Sequence, residues 1–354
     1  MSAGNADLLA SVVISTYNRA DALRQTVGAL GNQDLPPDRY EVIVVDDGST
    51  DSTWEALRDV SVPCHLEVVS HDRNRGVSAG RNSGIRVARG RFLILLSDDL
   101  LVPEDFISSH VHTLDRFPAT WVVGGFRQLD ELTRTPFGRY LDELERGFEE
   151  TRKGAPLGRS LWELDWPTAR NLSLPRSDLD DVGLFDERFR TTCEDQDLAE
   201  RARALGIRFL YNASIECLHN DQAGDLDRYC SFQRRGASDT VLLLAKSPGL
   251  HGGAAIAKAN ARIKKGDSPR EAMRKFAKAM LATPPLERTL RLLIGLAERL
   301  GPPESLLRRG YRLAIGTAIF RGWREGMRRW GDPASDRTQA EVRAQSRFEG
   351  LQPR

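Results

Sequence analysis

Three pairs of acidic residues in this 354-residue chain have the types and spacing that could do chemistry: Asp46-Asp47, Asp98-Asp99 and Glu194-Asp195. Paired carboxylates can bind a ribose or a base, hold a divalent cation such as Mg²⁺ or Mn²⁺, or take a proton from an attacking hydroxyl. Each pair also has a purely structural interpretation, as an Asx turn, a solvated turn or acidic residues at a helix N-terminus. No one pair decides between these interpretations.

The elements that must position these pairs alternate between strands and helices. Apolar runs predict strands at 9–15, 41–45, 65–70 and 92–96, and amphipathic patterns predict helices at 20–30, 53–59 and 77–88. Such alternation predicts βαβ units and an α/β fold with a mostly parallel sheet. Because ligands bind beyond the carboxyl ends of parallel strands, we expect the first two acidic pairs to lie at a binding edge.

The pattern changes twice further along the chain. Residues 129–166 are charged, show no clear strand or helix pattern, and are compatible with a stretch that holds a mobile loop. After about residue 235 the strand patterns stop and helical patterns continue. We therefore predict an α/β domain over 1–235, a basic amphipathic helical extension over 236–330, and a polar, flexible tail over 331–354.

Charge is distributed unevenly between these regions. Residues 240–354 contain 23 basic and 10 acidic side chains, a net charge of +13, whereas residues 1–239 contain 28 basic and 40 acidic ones, a net of −12. The basic C-terminal part predicts contact with a polyanionic surface, either anionic membrane lipid or nucleic acid. Apolar residues at helical spacing form one stripe over 286–300 and another over 306–330. These stripes can equally pack on the α/β domain and leave the arginines in water.

Cysteine use and hydropathy exclude several classes of protein. Four cysteines without a CxxC pair form neither a disulfide framework nor a zinc site. No secretory signal is recognisable at the N-terminus, and no apolar run reaches the roughly 20 residues that cross a bilayer. We expect a cytoplasmic protein that can rest on the inner face of a membrane.

Five ordered sequence blocks resemble glycosyltransferase family 2. They are VVISTYNR at 12–19, EVIVVDDGSTD at 41–51, NRGVSAGRNSGI at 74–85, LLSDD at 95–99, and VGLFDE at 182–187 with EDQDL at 194–198. The resemblance spans about residues 9–220. It implies a GT-A-type, Rossmann-like fold, in which a mostly parallel mixed sheet is flanked by helices, with the α-helical extension outside it. It also implies metal-dependent, inverting transfer of a sugar from a nucleotide-diphosphate sugar to an acceptor hydroxyl of a glycan, a lipid or a small molecule.

The resemblance also implies roles for particular residues. Asp195 would be the catalytic base, and Asp99 would be the principal ligand of Mg²⁺ or Mn²⁺, with Asp98 beside it contacting the donor. The other implied donor contacts come from Ser15, Tyr17, Asp47 (on the base), Arg75, Arg81 and Asn171. His219 would touch the metal or the diphosphate, although a hydrogen-bonded structural histidine and a turn-capping Asn171 are equally compatible with the sequence. One departure weakens the metal motif, because Leu96 stands where many relatives have an acidic residue.

Two other functions compete with this interpretation. A nucleotidyltransferase can use a related sheet and metal-binding aspartates, but usually has a glycine-rich basic loop after the first strand, and residues 15–18 contain no glycine. A non-catalytic nucleotide-sugar binding protein would keep the binding residues without the base. Nucleic acid is a weaker candidate partner, since no recognition motif is present and the N-terminal part is acidic.

Overall fold

The computed structural model describes residues 8–220, 225–250, 253–260, 263, 266–335 and 338–342. Contacts divide the chain into two units. The first consists of Met1–Thr133, Leu141–Arg190 and Glu194–Gln222, and the second of Arg134–Tyr140, Thr191–Cys193 and Ala223–Arg354.

The first unit is built around a ten-stranded mixed sheet. Its strands are β1 (Ala10–Thr16), β2 (Tyr40–Asp46), β3 (His65–Ser70), β4 (Phe92–Ser97), β5 (Leu100–Leu101), β6 (Thr120–Gln128), β7 (Lys153–Pro156), β8 (Leu161–Leu164), β9 (Asn171–Pro175) and β10 (Arg208–His219). The order is β3-β2-β1-β4-β9-β6-β10-β8-β7, and β5 pairs with β10. Strands β1 to β4 are parallel to one another, whereas β9 runs antiparallel to both β4 and β6. The predicted α/β fold with a mixed sheet is confirmed.

Helices cover the sheet on both faces. They are α1 (Ala20–Leu30), α2 (Thr53–Arg58), α3 (Val77–Val87), α4 (Phe106–Arg116), α5 (Pro136–Arg152), α6 (Asp178–Val182) and α7 (Glu194–Ala204). Because successive strand residues point to opposite faces, Val12 and Ile14 of β1 join one apolar core, whereas Val13 joins the other. The strands are therefore buried on both sides, which explains their continuous apolar sequence.

The charged stretch at 129–166, whose sequence shows no clear pattern, is mostly regular structure. Helix α5 occupies 17 of these residues, and the hairpin of β7 and β8 follows it. The helix buries Phe137 and Leu141, spaced four residues apart, and its charged side chains pair along the surface, as Asp142 does with Arg146. Charge on the exposed face thus concealed an ordinary amphipathic helix.

The second unit is helical. Its helices are α8 (Leu226–Lys246), α9 (Gly253–Asn260), α10 (Pro269–Leu281), α11 (Pro284–Leu300) and α12 (Glu304–Trp330). The predicted domain boundary at residue 235 falls inside α8, which is continuous there. Of the predicted tail, residues 338–342 form a helix in which Val342 is buried, and residues 343–354 lie outside the described residues.

Helix α12 packs closely against α8. A Cβ at Gly322 would lie 1.8 Å from the carbonyl oxygen of Arg234, so only glycine allows this approach. The apolar stripe predicted on α12 is buried, including Tyr311 and Trp323. Among the described helices, none combines the length and the apolar character that crossing a bilayer requires.

Candidate active site

The polar segments that follow β1, β2 and β4 lie side by side at the carboxyl edge of the sheet. The parallel register pairs Thr16 with Asp46. Asp47 N donates to Thr16 O at 2.9 Å, and Thr16 Oγ1 donates to Asp98 Oδ2 at 2.7 Å. The structure therefore brings the first two acidic pairs together at the edge where ligands of parallel sheets bind.

Ser15 and Tyr17 flank this edge. Ser15 lies against α3, where a Cβ on Gly80 would come within 2.0 Å of its Oγ, so glycine is required for the close approach. The side chain of Tyr17 is 42% exposed and is available to a ligand.

Asp99 occupies a buried corner beside Asp98. Arg19 Nη1 donates to Asp99 Oδ2 at 2.7 Å, and His219 Nε2 lies 3.4 Å from the same oxygen. Burial by itself would raise the pKa of Asp99, but the positive charges of His219 and Arg19 outweigh it and lower that pKa. The other carboxylate oxygen, Oδ1, is buried and accepts no hydrogen bond from the described residues.

A second layer of side chains holds His219. Gln128 Nε2 lies 2.9 Å from His219 Nδ1 and donates to Glu145 Oε2 at 2.5 Å. Arg170 Nη1 donates to the other oxygen of Glu145 at 3.2 Å. Burial lowers the pKa of His219, but the carboxylate of Asp99 outweighs this effect and raises it to about 9.

The Asp99 corner fits a divalent cation. Its buried Oδ1 accepts no hydrogen bond from the described residues and offers a hard oxygen ligand. His219 beside it, which is protonated at neutral pH in the absence of a cation, would offer a nitrogen after releasing a proton as the cation binds. No group of three or more His, Cys, Asp or Glu side chains converges as a metal cage within the ranges that the structure describes. That donor set matches Mg²⁺ or Mn²⁺ held by one or two protein ligands, since substrate phosphates then complete the coordination shell.

Asp47 organises the loop before α3. Its Oδ1 lies 2.6 Å from His71 Nδ1 and accepts from Arg75 N at 2.9 Å. Its Oδ2 accepts from the backbone N–H groups of Arg75 at 3.0 Å and Gly76 at 2.7 Å. Asp47 is 2% exposed, so these contacts fix the loop beside the ends of β1 and β2.

The two arginines predicted to contact the donor lie in different environments. Arg75 is 42% exposed and pairs with Glu187 at 3.0 Å. Arg81 is 8% exposed and donates to Glu194 Oε1 at 2.5 Å and to Ala169 O at 3.0 Å. The guanidinium of Arg81 is thus held inside the protein and supports the Glu194-Asp195 pair.

Asp195 lies at the first turn of α7. Its Oδ2 accepts from Ala169 N at 3.3 Å, and its Oδ1 accepts from Gln196 N at 2.8 Å. Burial and the neighbouring charge of Asp195 raise the pKa of Glu194 to about 7, against the lowering effect of Arg81.

The segment Ala169–Arg170 joins the two corners. Ala169 N contacts Asp195, and Arg170 O accepts from Ser97 N at 2.8 Å, one residue before Asp98. Arg170 also reaches Glu145 in the layer behind His219. The Asp98-Asp99 corner and Asp195 therefore flank the same short segment instead of lying on opposite sides of the unit.

Asn171 is not brought to this edge. It is 1% exposed, its Oδ1 lies 2.8 Å from His110 Nε2, and its Nδ2 donates to Gly125 O at 3.4 Å. His110 Nδ1 in turn lies 2.8 Å from Ser173 Oγ, and burial lowers the pKa of His110 to about 4. These residues form a polar cluster within the sheet and helix α4.

Four residues of the site were missed from the sequence: Arg19, Gln128, Glu145 and Arg170. Arg19 stands inside the first resembling block and adjoins the predicted donor contacts, so its position was a usable signal. The other three come from β6, α5 and the segment before β9, and nothing in their local sequence marks them.

Comparison with known proteins indicates the family and the fold of this chain. Residues 11–162 match the family model described as Glycosyl transferase family 2, which confirms the resemblance. An uncharacterized glycosyltransferase, YfnE of Bacillus subtilis, is 28% identical over 254 residues, which cover 60% of this chain and 64% of that protein. Validoxylamine A glucosyltransferase of Streptomyces hygroscopicus subsp. limoneus is 31% identical over 223 residues, 56% of this chain and 49% of that protein. The chain thus spans about half to two thirds of the length of these relatives.

A solved structure has the same fold. The mannosyltransferase PcManGT from Pyrobaculum calidifontis, in complex with GDP-Man and Mn²⁺, superposes with a TM-score of 0.57 at 22% identity. The match covers 89% of this chain and 87% of that one. At this identity the likeness establishes the architecture, a mixed sheet flanked by helices.

Proposed function

We propose that this chain transfers a sugar from a nucleotide-diphosphate sugar to an acceptor hydroxyl, in keeping with the match of residues 11–162 to the Glycosyl transferase family 2 model. The observation that carries the proposal is the joining of the two carboxylate corners by Ala169–Arg170. Transfer by direct displacement needs one group that stabilises the leaving diphosphate and another that takes the acceptor's proton, both close to the anomeric carbon. We assign the first need to a cation held at Asp99 and the second to Asp195.

We propose that the donor lies along the ends of β1 and β2. Asp47 already accepts hydrogen bonds from His71, Arg75 and Gly76, which fill the roughly four acceptor positions of a carboxylate. Direct contact between Asp47 and the base would displace one of these bonds. We therefore expect Asp47 to act mainly by holding the loop at 75–76, whose backbone and Arg75 face the nucleotide, with Ser15 and Tyr17 on the other side.

The cation would be held by Asp99 Oδ1 and His219. When bound, Mg²⁺ or Mn²⁺ neutralises the negative charge that develops on the leaving diphosphate. The chain's own residues prepare this corner: Thr16 orients Asp98, and Arg19 holds the second oxygen of Asp99. The Mn²⁺ in the PcManGT complex, which also contains GDP-Man, supports this assignment.

Asp195 would take the acceptor's proton. Ala169 N and Gln196 N each donate a hydrogen bond to its carboxylate and so fix its position. A single displacement of this kind inverts the anomeric centre.

Three classes of acceptor fit the proposal: a glycan, a lipid-linked sugar and a small molecule. The name of the Streptomyces relative supports a small molecule. The basic helices of the second unit support a lipid.

The test compares Asp195→Asn with the exposed control Asp180→Asn. We expect Asp195→Asn to bind nucleoside diphosphates as the wild type does, measured by thermal shift with and without Mn²⁺, and to lose about 10²–10⁴-fold in sugar transfer. Asp180→Asn should retain both properties.

Three outcomes would reject the proposal. A wild-type protein that binds nucleotide sugars but transfers none would be a binding protein. Release of pyrophosphate from a nucleoside triphosphate and a sugar phosphate would identify a nucleotidyltransferase. Full transfer activity in Asp195→Asn would remove the assigned base.

A further inference from the structure

The second unit exposes a group of large apolar side chains on two adjacent helices. We call this group the apolar face. It consists of Met273 (72% exposed), Phe276 (59%) and Met280 (52%) of α10, and of Leu286 (41%), Leu292 (68%), Leu293 (58%), Leu296 (53%) and Leu300 (77%) of α11. Scattered exposed leucines are normal on a soluble protein, but eight large apolar residues on two contacting helices indicate an interaction surface.

The apolar face follows from helix geometry. Met273, Phe276 and Met280 are spaced by three and four residues, and so lie on one side of α10. On α11, Glu287 and Ile294 are buried on one side, seven residues apart, whereas the exposed leucines line another side. The apolar stripe predicted for α11 is therefore not packed inside this unit, in contrast to the stripe of α12.

The charge around the apolar face is basic. Residues 269–330 contain 14 basic and 5 acidic side chains, a net charge of +9. Each of the five carboxylates already has a partner: Glu271 accepts from Ser268, Glu287 from Arg321, Glu298 from Tyr311, Glu304 from Arg139, and Glu325 from Arg234. Among the described residues, Arg288, Arg299 and Arg309 have no hydrogen-bond or ion-pair partner. The surface thus offers apolar side chains with unpaired arginines beside them.

We propose that the apolar face docks on an anionic lipid bilayer, with α10 and α11 lying in the plane of the membrane surface. Amphipathic helices with basic flanks bind such surfaces, because the apolar side enters the acyl boundary while the arginines meet the lipid phosphates. A second copy of the chain fits less well, since a two-fold contact would bring one basic rim against the same basic rim. This inference stands independently of the proposed transferase activity.

The test uses the full chain and vesicles of phosphatidylcholine with and without phosphatidylglycerol. We expect binding to the anionic vesicles only, and weaker binding at high salt. Leu293→Ser with Leu296→Ser should weaken binding roughly tenfold or more for each substitution, because each removes apolar groups from the acyl boundary. Arg288→Gln and Arg299→Gln should weaken it about fivefold each.

The matched control is Leu157→Ser with Leu205→Ser, two residues of the first unit that are 45% and 55% exposed. This variant should bind vesicles as the wild type does, and circular dichroism checks that both double variants keep their helix content. Absence of wild-type binding to anionic vesicles overturns the proposal, and so does equal loss in the control. A wild-type dimer in sedimentation velocity that the Leu293/Leu296 variant converts to monomer, with vesicle binding unchanged, would assign the face to a second copy instead.

Discussion

Replacing Arg81 by methionine tests two roles for this arginine. In one, Arg81 stabilises the fold through its buried pair with Glu194, and in the other it contacts the donor directly. Arg81 and Arg75 lie in the same sequence block, and the resemblance to the family implies donor contact for both. Their surroundings differ, because the Arg81–Glu194 pair is 8% and 7% exposed, whereas the Arg75–Glu187 pair is 42% and 36% exposed. Arg75→Met is therefore a matched control.

The expected magnitudes follow from that burial. Removing one partner of a buried ion pair costs about 3–5 kcal/mol when the other partner stays charged. Because the pKa of Glu194 is raised to about 7 even beside Arg81, we expect the full cost only at a pH well above 7, and a smaller cost where Glu194 takes up a proton. Arg81→Met also removes the hydrogen bond to the carbonyl oxygen of Ala169, the residue whose N–H donates to Asp195. The exposed pair of Arg75 is worth about 0–1 kcal/mol, since solvent screens it.

The assay is equilibrium urea unfolding, followed by circular dichroism, with the midpoint and the slope compared between variants. The double variant Arg81→Met with Glu194→Gln should recover part of the loss, because no buried charge then lacks its partner. Donor affinity should fall more in Arg75→Met than in any Arg81 variant that remains folded. Equal losses of stability in Arg81→Met and Arg75→Met would refute the reasoning, and so would a stable Arg81→Met protein that cannot bind donor.

Two further predictions concern buried groups behind the site. Burial lowers the pKa of His110 from 6.5 to about 4, so the unfolded state binds the extra proton and stability falls as pH drops below 6.5. The free energy of unfolding should fall by about 2 kcal/mol between pH 7.5 and 5. In urea titrations, His110→Gln should lose less stability than the wild type over that interval. Equal losses in the variant and the wild type would contradict the assignment. Glu145→Gln should weaken Mn²⁺ binding in the presence of nucleoside diphosphate by about 10–100-fold, because Glu145 helps to hold Gln128 and Arg170 behind His219. Calorimetric titration measures this, with the exposed Glu150→Gln as control, and equal metal affinity in both variants would exclude the role.

The sheet and its binding edge could be predicted because their signals are local. Each of the strands β1 to β4 is a short apolar run that ends in polar residues, and each intervening helix has its own pattern. Parallel pairing then requires the polar ends to meet, as Thr16 and Asp46 do. The same reasoning did not predict α5. Only a few residues of this helix are buried, so its apolar pattern is weak, and its many charged side chains hide that pattern in the sequence.

The partners of the site residues could not be predicted, because they are set by tertiary packing. Arg81 meets Glu194 across 113 residues of sequence, and His219 meets Gln128 across 91. An arginine that binds phosphate and an arginine that neutralises a buried carboxylate have the same local sequence. Only the fold distinguishes them, as it does for Asn171, whose amide turns into the core.

The segment Ala169–Arg170 explains why the two corners must be considered together. Three backbone groups of this segment carry the connection: Ala169 N donates to Asp195, Ala169 O accepts from Arg81, and Arg170 O accepts from Ser97 N. Because the segment contributes main-chain groups, substitution of the side chains of Ala169 or Arg170 leaves these groups in place, whereas a displacement of the segment moves both corners. A ligand that shifts residues 169–170 would thus change the base and the metal corner at the same time. Acceptor binding near this segment is therefore expected to alter donor affinity, and coupling between the two sites is the physical consequence to measure.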